Sequence, residues 1–370
     1  MKLKPTSDRM LVKPDPADEV SAGGIIIPGN AKEKPQFGTV VSVGPGRIND
    51  DGFCVPMSIH EGDVVMYGKY GGTEVMVDNV EHLILREWRC DGGKGVVVRP
   101  ISLKNSGELQ LFFIGVGSAF ATRNNQTNFL IIKGDSHIMV DFGMTGPKAL
   151  LETAGLKPTD IECVLPTHSH ADHAGGIECL GLMNMYVGRR FMKKEKIKMI
   201  ISEEYQRILW DQTLRGGMED NEEIQDRKLN FGDYFDVVRP TWKTHQPREV
   251  WSREYKGINL EIFRTIHIPE QSTSWEASFV SYGLMIDNRV FVSGDTKFDR
   301  PLLDMYEHAE VMFHDVQFFP GAVHTPLEDL RKLPQYMKGK MYLMHYADNW
   351  ETQDITGFAG WAKQGVLYTI

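Results

Sequence analysis

Apolar residues follow two rhythms along this chain, and the rhythm changes near residue 90. Over residues 1–88 they come in short β-rich runs: MLVKP, GTVVSVG, GDVVMYG, TEVMV and HLILRE. Turn clusters such as GPGRINDDG and GKYGG separate them. Nothing there repeats at helical spacing, so the segment reads as a small all-β unit. So many short strands have to hide their edges, which predicts closure into a barrel. Residues 16–35, PADEVSAGGIIIPGNAKEKP, break the rhythm. A loop of this length without structure of its own is usually functional or disordered. Its apolar run Ile25, Ile26, Ile27 has two readings: a hook that orders in a partner's apolar groove, or a buried strand. Residues 91–95, DGGKG, then read as a flexible linker.

From Val96 onward strands alternate with helices. ELQLFFIGVG, TNFLIIKG, HIMVDFG, GINLEIFRTIHI, SFVSYGLMID, NRVFVSGD and MYLMHY are strand-like. Asp287-Asn288 is a turn pair between two of them. GPKALLETAGL and EEYQRILWDQTLRGG are helices stopped by glycine, and DITGFAGWAKQG reads as the last helix. Mixed sheets covered by helices make an α/β sandwich. The chain therefore divides into domains over 1–90 and 96–370.

Composition narrows the class. With 41% hydrophobic and 25% charged residues, wholesale disorder, collagen and coiled coil are excluded. The formal charge of −9 argues against a surface built throughout for nucleic acid. Residues 189–198, RRFMKKEKIK, are a local exception with six bases and one acid, and read as a solvated face before a phosphate-binding patch. Cys54, Cys90, Cys163 and Cys179 form no CxxC, which fits reduced thiols. No apolar run approaches the roughly 18 residues of a membrane span, and the N-terminus carries no signal-peptide pattern. A cytoplasmic protein with no membrane contact is expected.

The chemistry concentrates in Thr167-His168-Ser169-His170-Ala171-Asp172-His173, three histidines and an aspartate directly after an apolar strand. Neutral imidazole and carboxylate are the ligands borderline metals prefer. His168 and His170, two apart in an extended stretch, point the same way, while Asp172 and His173 on the following turn can face a second ion. Two ions need more ligands. His267, Asp295 and His345 each end a β-rich run, where open α/β sheets present their sites. His245 is a weaker rival for His267, and Asn125, Thr127 and Asn128 are candidates to line the pocket.

Two family resemblances follow. Residues 1–88 resemble a chaperonin-10 subunit, the GroES-type co-chaperonin, through KPTSDRMLVKP, SAGGIIIPGNAKEKPQFGTVVSVGPGR and GDVVMYGKYGG. That resemblance implies a β-barrel with a mobile loop over 16–35. It makes Ile25, Ile26 and Ile27 an anchor for the rim of a chaperonin-60 ring, and implies a heptameric assembly. The family's chain normally ends soon after the strand matching HLILRE, and this one continues. Residues 108–370 resemble the metallo-β-lactamase superfamily, through FFIGVGSAF, Asp141 in DFG, THSHADHAGG, SGDT and MHY. The implied fold is an αββα sandwich. By that resemblance His168, His170 and His267 hold one divalent ion; Asp172, His173 and His345 hold the other; Asp295 bridges; and Asp141 orients the loop histidines.

Within the superfamily the tRNase Z-like phosphodiesterase branch is more similar. LFFIGVGSAFATRNNQTNFLI matches it, as does His314-Asp315-Val316-Gln317-Phe318-Phe319 followed by His324-Thr325. The branch's acid–histidine pair donates a proton, which implies that role for Asp315 and His324, although Asp315 stands where Glu is usual. No long Gly/Pro-rich arm of the kind that grips tRNA is evident, which favours a smaller substrate than precursor tRNA. The expectation is a binuclear phosphodiesterase with Asp172, Asp315 and His324 as catalytic groups and zinc as first choice of metal, then manganese or iron. It acts on a cyclic nucleotide, another small anionic phosphodiester or a short RNA, and forms a homo-oligomer, a heptamer through the first domain or a dimer through the second. The competing expectation is a co-chaperonin binding module carrying a lactonase, thioesterase or tRNA 3′-processing endonuclease.

Overall fold

The computed structural model describes residues 3–15, 37–48, 54–55, 57, 59–67, 72–78, 80–86, 95–97 and 101–370. The loop over 16–35, with Ile25, Ile26 and Ile27, lies outside the described residues, as do 91–94 of the expected linker. Two compact units emerge, Met1–Ile101 with Leu151–Leu156, and Ser102–Leu150 with Lys157–Ile370.

The first unit carries a six-stranded antiparallel sheet in the order Thr73–Val77, Val80–Arg86, Arg9–Pro14, Phe37–Val43, Val64–Tyr67, Gly95–Val97. Alternation builds its core: Met10 and Val12, Leu83 and Leu85, and Val65 and Tyr67 project two apart from their strands into one cluster with Val40 and Ile59. Gly95–Val97 was expected to straddle the linker and the second domain. It instead pairs with Val64–Tyr67, and the first unit runs on to Ile101. The reason is local: Gly95-Val96-Val97 is β-prone, and the otherwise unpaired side of Val64–Tyr67 offers it a ladder.

The second unit has two sheets. The seven-stranded one orders Asp236–Val238, Lys198–Ile200, Cys163–Leu165, Ser136–Val140, Asn128–Lys133, Gln110–Gly115 and Leu367–Thr369. The eight-stranded one orders Thr241–Thr244, Val250–Tyr255, Ile258–Arg264, Tyr282–Ile286, Val290–Val292, Val311–Asp315, Met341–Met344 and Gly360–Trp361. Side chains cross between them: the Phe113 and Phe313 rings lie 4.9 Å apart, and Tyr368 meets Phe313 edge-on at 5.2 Å. The central strands are buried end to end, which explains their continuous apolar runs. Parallel neighbours need crossovers. The helices Ile177–Met183 and Glu203–Leu209 serve the first sheet, and Arg300–Met305 and Leu327–Arg331 the second. This is the expected αββα sandwich.

Asp287 and Asn288 both take positive φ in their hairpin, as the turn pair predicts. The expected last helix over 354–365 does not form. Gly357, Gly360 and Gly365 there have φ of 91°, 145° and 75°, outside the helical range, and Gly360–Trp361 becomes an outer strand.

Candidate metal centre

Six strands converge their C-terminal ends on one point. Asp141 follows Ser136–Val140, the His168 loop follows Cys163–Leu165, and His267 follows Ile258–Arg264. Asp295 follows Val290–Val292, Asp315 ends Val311–Asp315, and His345 follows Met341–Met344. Parallel strands fan out at this end and leave room that loops fill with polar groups.

The seven candidate ligands come together in two groups that share one residue. His168, His170, His267 and Asp295 form the first; Asp172, His173, His345 and Asp295 form the second; within each, the candidate ligand atoms lie within 4.8 Å of one another. His170 Nδ1 is 3.0 Å from His168 Nε2 and 3.2 Å from His267 Nε2. Asp172 Oδ2 is 3.1 Å from His345 Nε2 and 3.3 Å from His173 Nε2. Asp295 Oδ2 stands between the groups: His173 and His345 Nε2 lie 3.2 and 3.5 Å from it, His168 and His267 Nε2 3.6 and 3.7 Å.

The surrounding structure aims these side chains. Asp141 accepts from Thr167 N–H at 2.6 Å, Thr167 Oγ1 at 2.8 Å and His173 Nδ1 at 2.7 Å. His267 Nδ1 donates to the Val323 carbonyl at 2.9 Å. With Nδ1 occupied, each of these imidazoles turns Nε2 into the centre. Asp141 and His345 hold φ of 58° and 59°, a strained region for such residues, so the fold holds them there at a cost of about 1–3 kcal/mol each. Gly143 is required by close approach. A Cβ there would stand 1.9 Å from the Asp172 carbonyl, so the DFG turn can pack on the histidine loop only with glycine.

Three features fit divalent cations. First, His173 Nε2 and Asp295 Oδ2 are buried polar atoms without a hydrogen-bond partner, a costly arrangement unless something accepts their lone pairs. Second, burial holds His168 well below its usual range and pushes His267 down to about 4, which keeps both imidazoles neutral and ligating. Third, the carboxylates dominate the field. Burial opposes charge on His173, yet Asp295, Asp172 and Asp141 together hold its imidazolium form well above the usual range. That excess of negative charge is what bound cations offset.

Asp315 and His324 also reach the centre. His324 Nδ1 donates to Asp315 Oδ2 at 3.0 Å and lies 3.9 Å from Asp295 Oδ2. Asp315 Oδ2 takes a second hydrogen bond from Thr296 N–H at 3.1 Å. The aspartate's shorter arm therefore still closes the pair, because Asp315 sits on a strand end beside the Asp295 loop.

Other expectations fared differently. Asn128 is buried; its Oδ1 accepts from Gly143 N–H at 2.7 Å and its amide reaches the Asp172 carbonyl. Thr127 is buried too and donates to the Gly117 carbonyl, and it lines a small cavity with Asp141, Thr167, His173 and Asp295, as expected. His245 stacks on Trp242 and meets Trp275 edge-on, and belongs to neither ligand group. In the basic run, Arg190, Lys194, Lys196 and Lys198 pair with Glu222, Asp160, Asp236 and Glu195. Sequence reasoning missed Lys297. Its Nζ donates to the carbonyls of Pro269, Glu270 and Ser272, tying the turn after His267 to the segment after Asp295. Its signal is its place, two residues past Asp295 in SGDTK.

Two family models match this chain. The model of the Anti-Pycsar protein Apyc1 family matches residues 109–368, and that of the chaperonin 10 kDa subunit residues 2–89. The Anti-Pycsar protein Apyc1 of Paenibacillus sp. (strain J14) is 33% identical over 267 residues, 71% of this chain and 99% of that protein. That of Bacillus phage BSP38 is 31% identical over 264 residues, 70% of this chain and 98% of the phage protein. A solved diphosphatase of the PhnP family superposes with a TM-score of 0.51 at 15% identity, over 70% of this chain and 97% of its own, a likeness of fold.

Proposed function

Since the chain belongs to the Anti-Pycsar protein Apyc1 family, we propose that its second unit is a metal-dependent phosphodiesterase that opens the phosphodiester of a cyclic nucleotide. The observation that carries the reading is Asp295 Oδ2, within 3.2–3.7 Å of four imidazole Nε2 atoms drawn from both ligand groups. His168, His170 and His267 would hold one cation, Asp172, His173 and His345 the other, with Asp295 shared. Imidazole with carboxylate suits zinc first, manganese or iron next. Two such cations supply Lewis-acid charge to the phosphoryl oxygens.

The chain's own residues do the rest. Water adds to phosphorus and its proton leaves to solvent; although burial opposes charge on it, Asp172 is held well below the usual carboxylate range by His173 and His345 and stays ionised throughout. The ester oxygen that leaves is a poor leaving group and takes a proton from His324, a contribution of about 10²–10⁴-fold. Burial opposes charge on that imidazole, but Asp295 and then Asp315 raise its affinity for the proton. With cations drawing on Asp295, the Asp315 bond is the support that remains. Asp315 also orients the ring, because Nδ1 is committed to the carboxylate.

The first unit, matched by the chaperonin-10 model, supports assembly: a heptameric ring that displays the hydrolase units, docking on a chaperonin-60 ring through Ile25, Ile26 and Ile27. A monomeric mass in solution removes the ring. The enzymatic reading is tested on metal-verified protein with 3′,5′-cyclic mononucleotides, cyclic dinucleotides, precursor tRNA, an aryl phosphodiester and a lactone. Asp295→Ala serves as the blank. Hydrolysis confined to the lactone overturns it.

A further inference from the structure

His324 stands on a loop that leaves the strand Val311–Asp315 and returns to the helix Leu327–Arg331. A proton donor works only if it is held in place, yet the tip of this loop, Phe319 to Gly321, is exposed. The sequence supplies part of the stiffness. Pro320-Gly321 is the pair that a type II turn takes at its centre, and Gly321 holds the φ of 81° such a turn requires.

The rest comes from Gln317, which is buried inside the loop. Its side-chain Nε2 donates to the Phe319 carbonyl at 2.9 Å and to the Gly321 carbonyl, one on each side of Pro320. Its backbone ties the far end. Gln317 N–H donates to the Thr325 carbonyl at 2.8 Å, and its own carbonyl accepts from Leu327 N–H at 2.9 Å. One residue thus holds the loop before its tip, after its tip and just past His324. From outside, Ala322 N–H reaches Glu270 Oε1 at 3.3 Å, and Thr325 Oγ1 donates to the Thr296 carbonyl at 2.9 Å.

The amide is there to donate. Both of its partners are carbonyls, so only the nitrogen can face them. The amide oxygen is left buried without a hydrogen-bond partner among the described residues. An apolar side chain of the same length would fill the space without burying that oxygen, so packing alone does not account for a glutamine here. The two donated bonds do.

We propose that Gln317 is a positioning residue for the reaction: by holding the Phe319 and Gly321 carbonyls, it sets His324 in place against Asp315. The inference rests on the reading of His324 as the proton donor of a phosphodiesterase, and names the residue that keeps that donor in reach.

The test compares wild type, Gln317→Met, His324→Ala and the double variant in the full chain, at equal metal content. The substrates are a 3′,5′-cyclic mononucleotide and a bis-p-nitrophenyl phosphodiester, whose leaving group needs no proton. Gln317→Met keeps the volume and removes both donors. It lowers kcat on the cyclic nucleotide about 10²-fold, the cost of a displacement of about 1 Å, and spares both KM and the aryl ester. The double variant is no slower than His324→Ala, because a residue that acts through His324 then has nothing to hold. Additive losses, or wild-type turnover in Gln317→Met, overturn the proposal. So does an equal loss on both substrates, which is what slackening His267 through the Val323 carbonyl would give. If Gln317→Met does not fold, Gly321→Ala takes its place. A Cβ there meets open space and only strains the left-handed backbone of the turn that Gln317 holds, so the same selective loss is expected. A wild-type ratio between the two substrates overturns the proposal there too. Wild-type turnover in His324→Ala overturns the proton-donor reading and this one with it; a slow His324→Ala beside a fast Gln317→Met overturns this one alone.

Discussion

Asp141→Asn isolates how the fold aims a candidate metal ligand, His173, without removing one. The carboxylate accepts three donors, Thr167 N–H, Thr167 Oγ1 and His173 Nδ1, at 2.6–2.8 Å. An amide of the same shape has one accepting oxygen. If that oxygen faces His173 and Thr167 Oγ1, the amide nitrogen faces Thr167 N–H, donor to donor. If the amide is flipped, the His173 bond is lost. Either way at least one buried bond to a charged group disappears, about 1.5–3 kcal/mol, or roughly 10- to 150-fold in an equilibrium constant. That range agrees with the roughly 10–100-fold expected for groups that support metal ligands. The backbone gives no separate penalty, because Asn tolerates the φ of 58° at this position. The assay is metal affinity by competition with a chromophoric chelator, read alongside melting temperature of the stripped protein. Wild-type metal affinity in Asp141→Asn would refute the orienting role.

His324→Ala keeps its metal by elemental analysis yet loses about 10²–10⁴-fold in kcat on cyclic nucleotides, and much less on a p-nitrophenyl ester whose leaving group needs no proton; wild-type turnover on the unactivated substrate would sink the proton-donor assignment. Gly143→Ala, with its Cβ 1.9 Å from the Asp172 carbonyl, forces the DFG turn off the histidine loop, so both melting temperature and metal affinity fall. Chelation of the native protein lowers its melting temperature, because His173 Nε2 and Asp295 Oδ2 are again buried without partners; an unchanged midpoint would show that the cluster is stable without cations. Phe113→Ala removes a ring packed on Phe129, Phe313 and Tyr368 and costs about 3–5 kcal/mol by denaturant titration, without direct loss of metal ligands.

Much of the site was legible in one dimension, because metal chemistry is local. The run His168 to His173 packs four donors into six residues, and His267, Asp295 and His345 each stand where a β-run stops. The period of apolar residues likewise marked most central strands. It misled over 354–365, where apolar spacing resembled a helix but three glycines had taken backbone angles that no helix allows. What periodicity cannot carry is proximity between distant segments. Only the tertiary structure placed one oxygen of Asp295 among four imidazoles from three segments, closed Asp315 onto His324 across nine residues, and joined Gly95–Val97 to the first sheet. Ligand chemistry resides in side chains and is readable one residue at a time; its geometry is set by how strands order and where their ends meet.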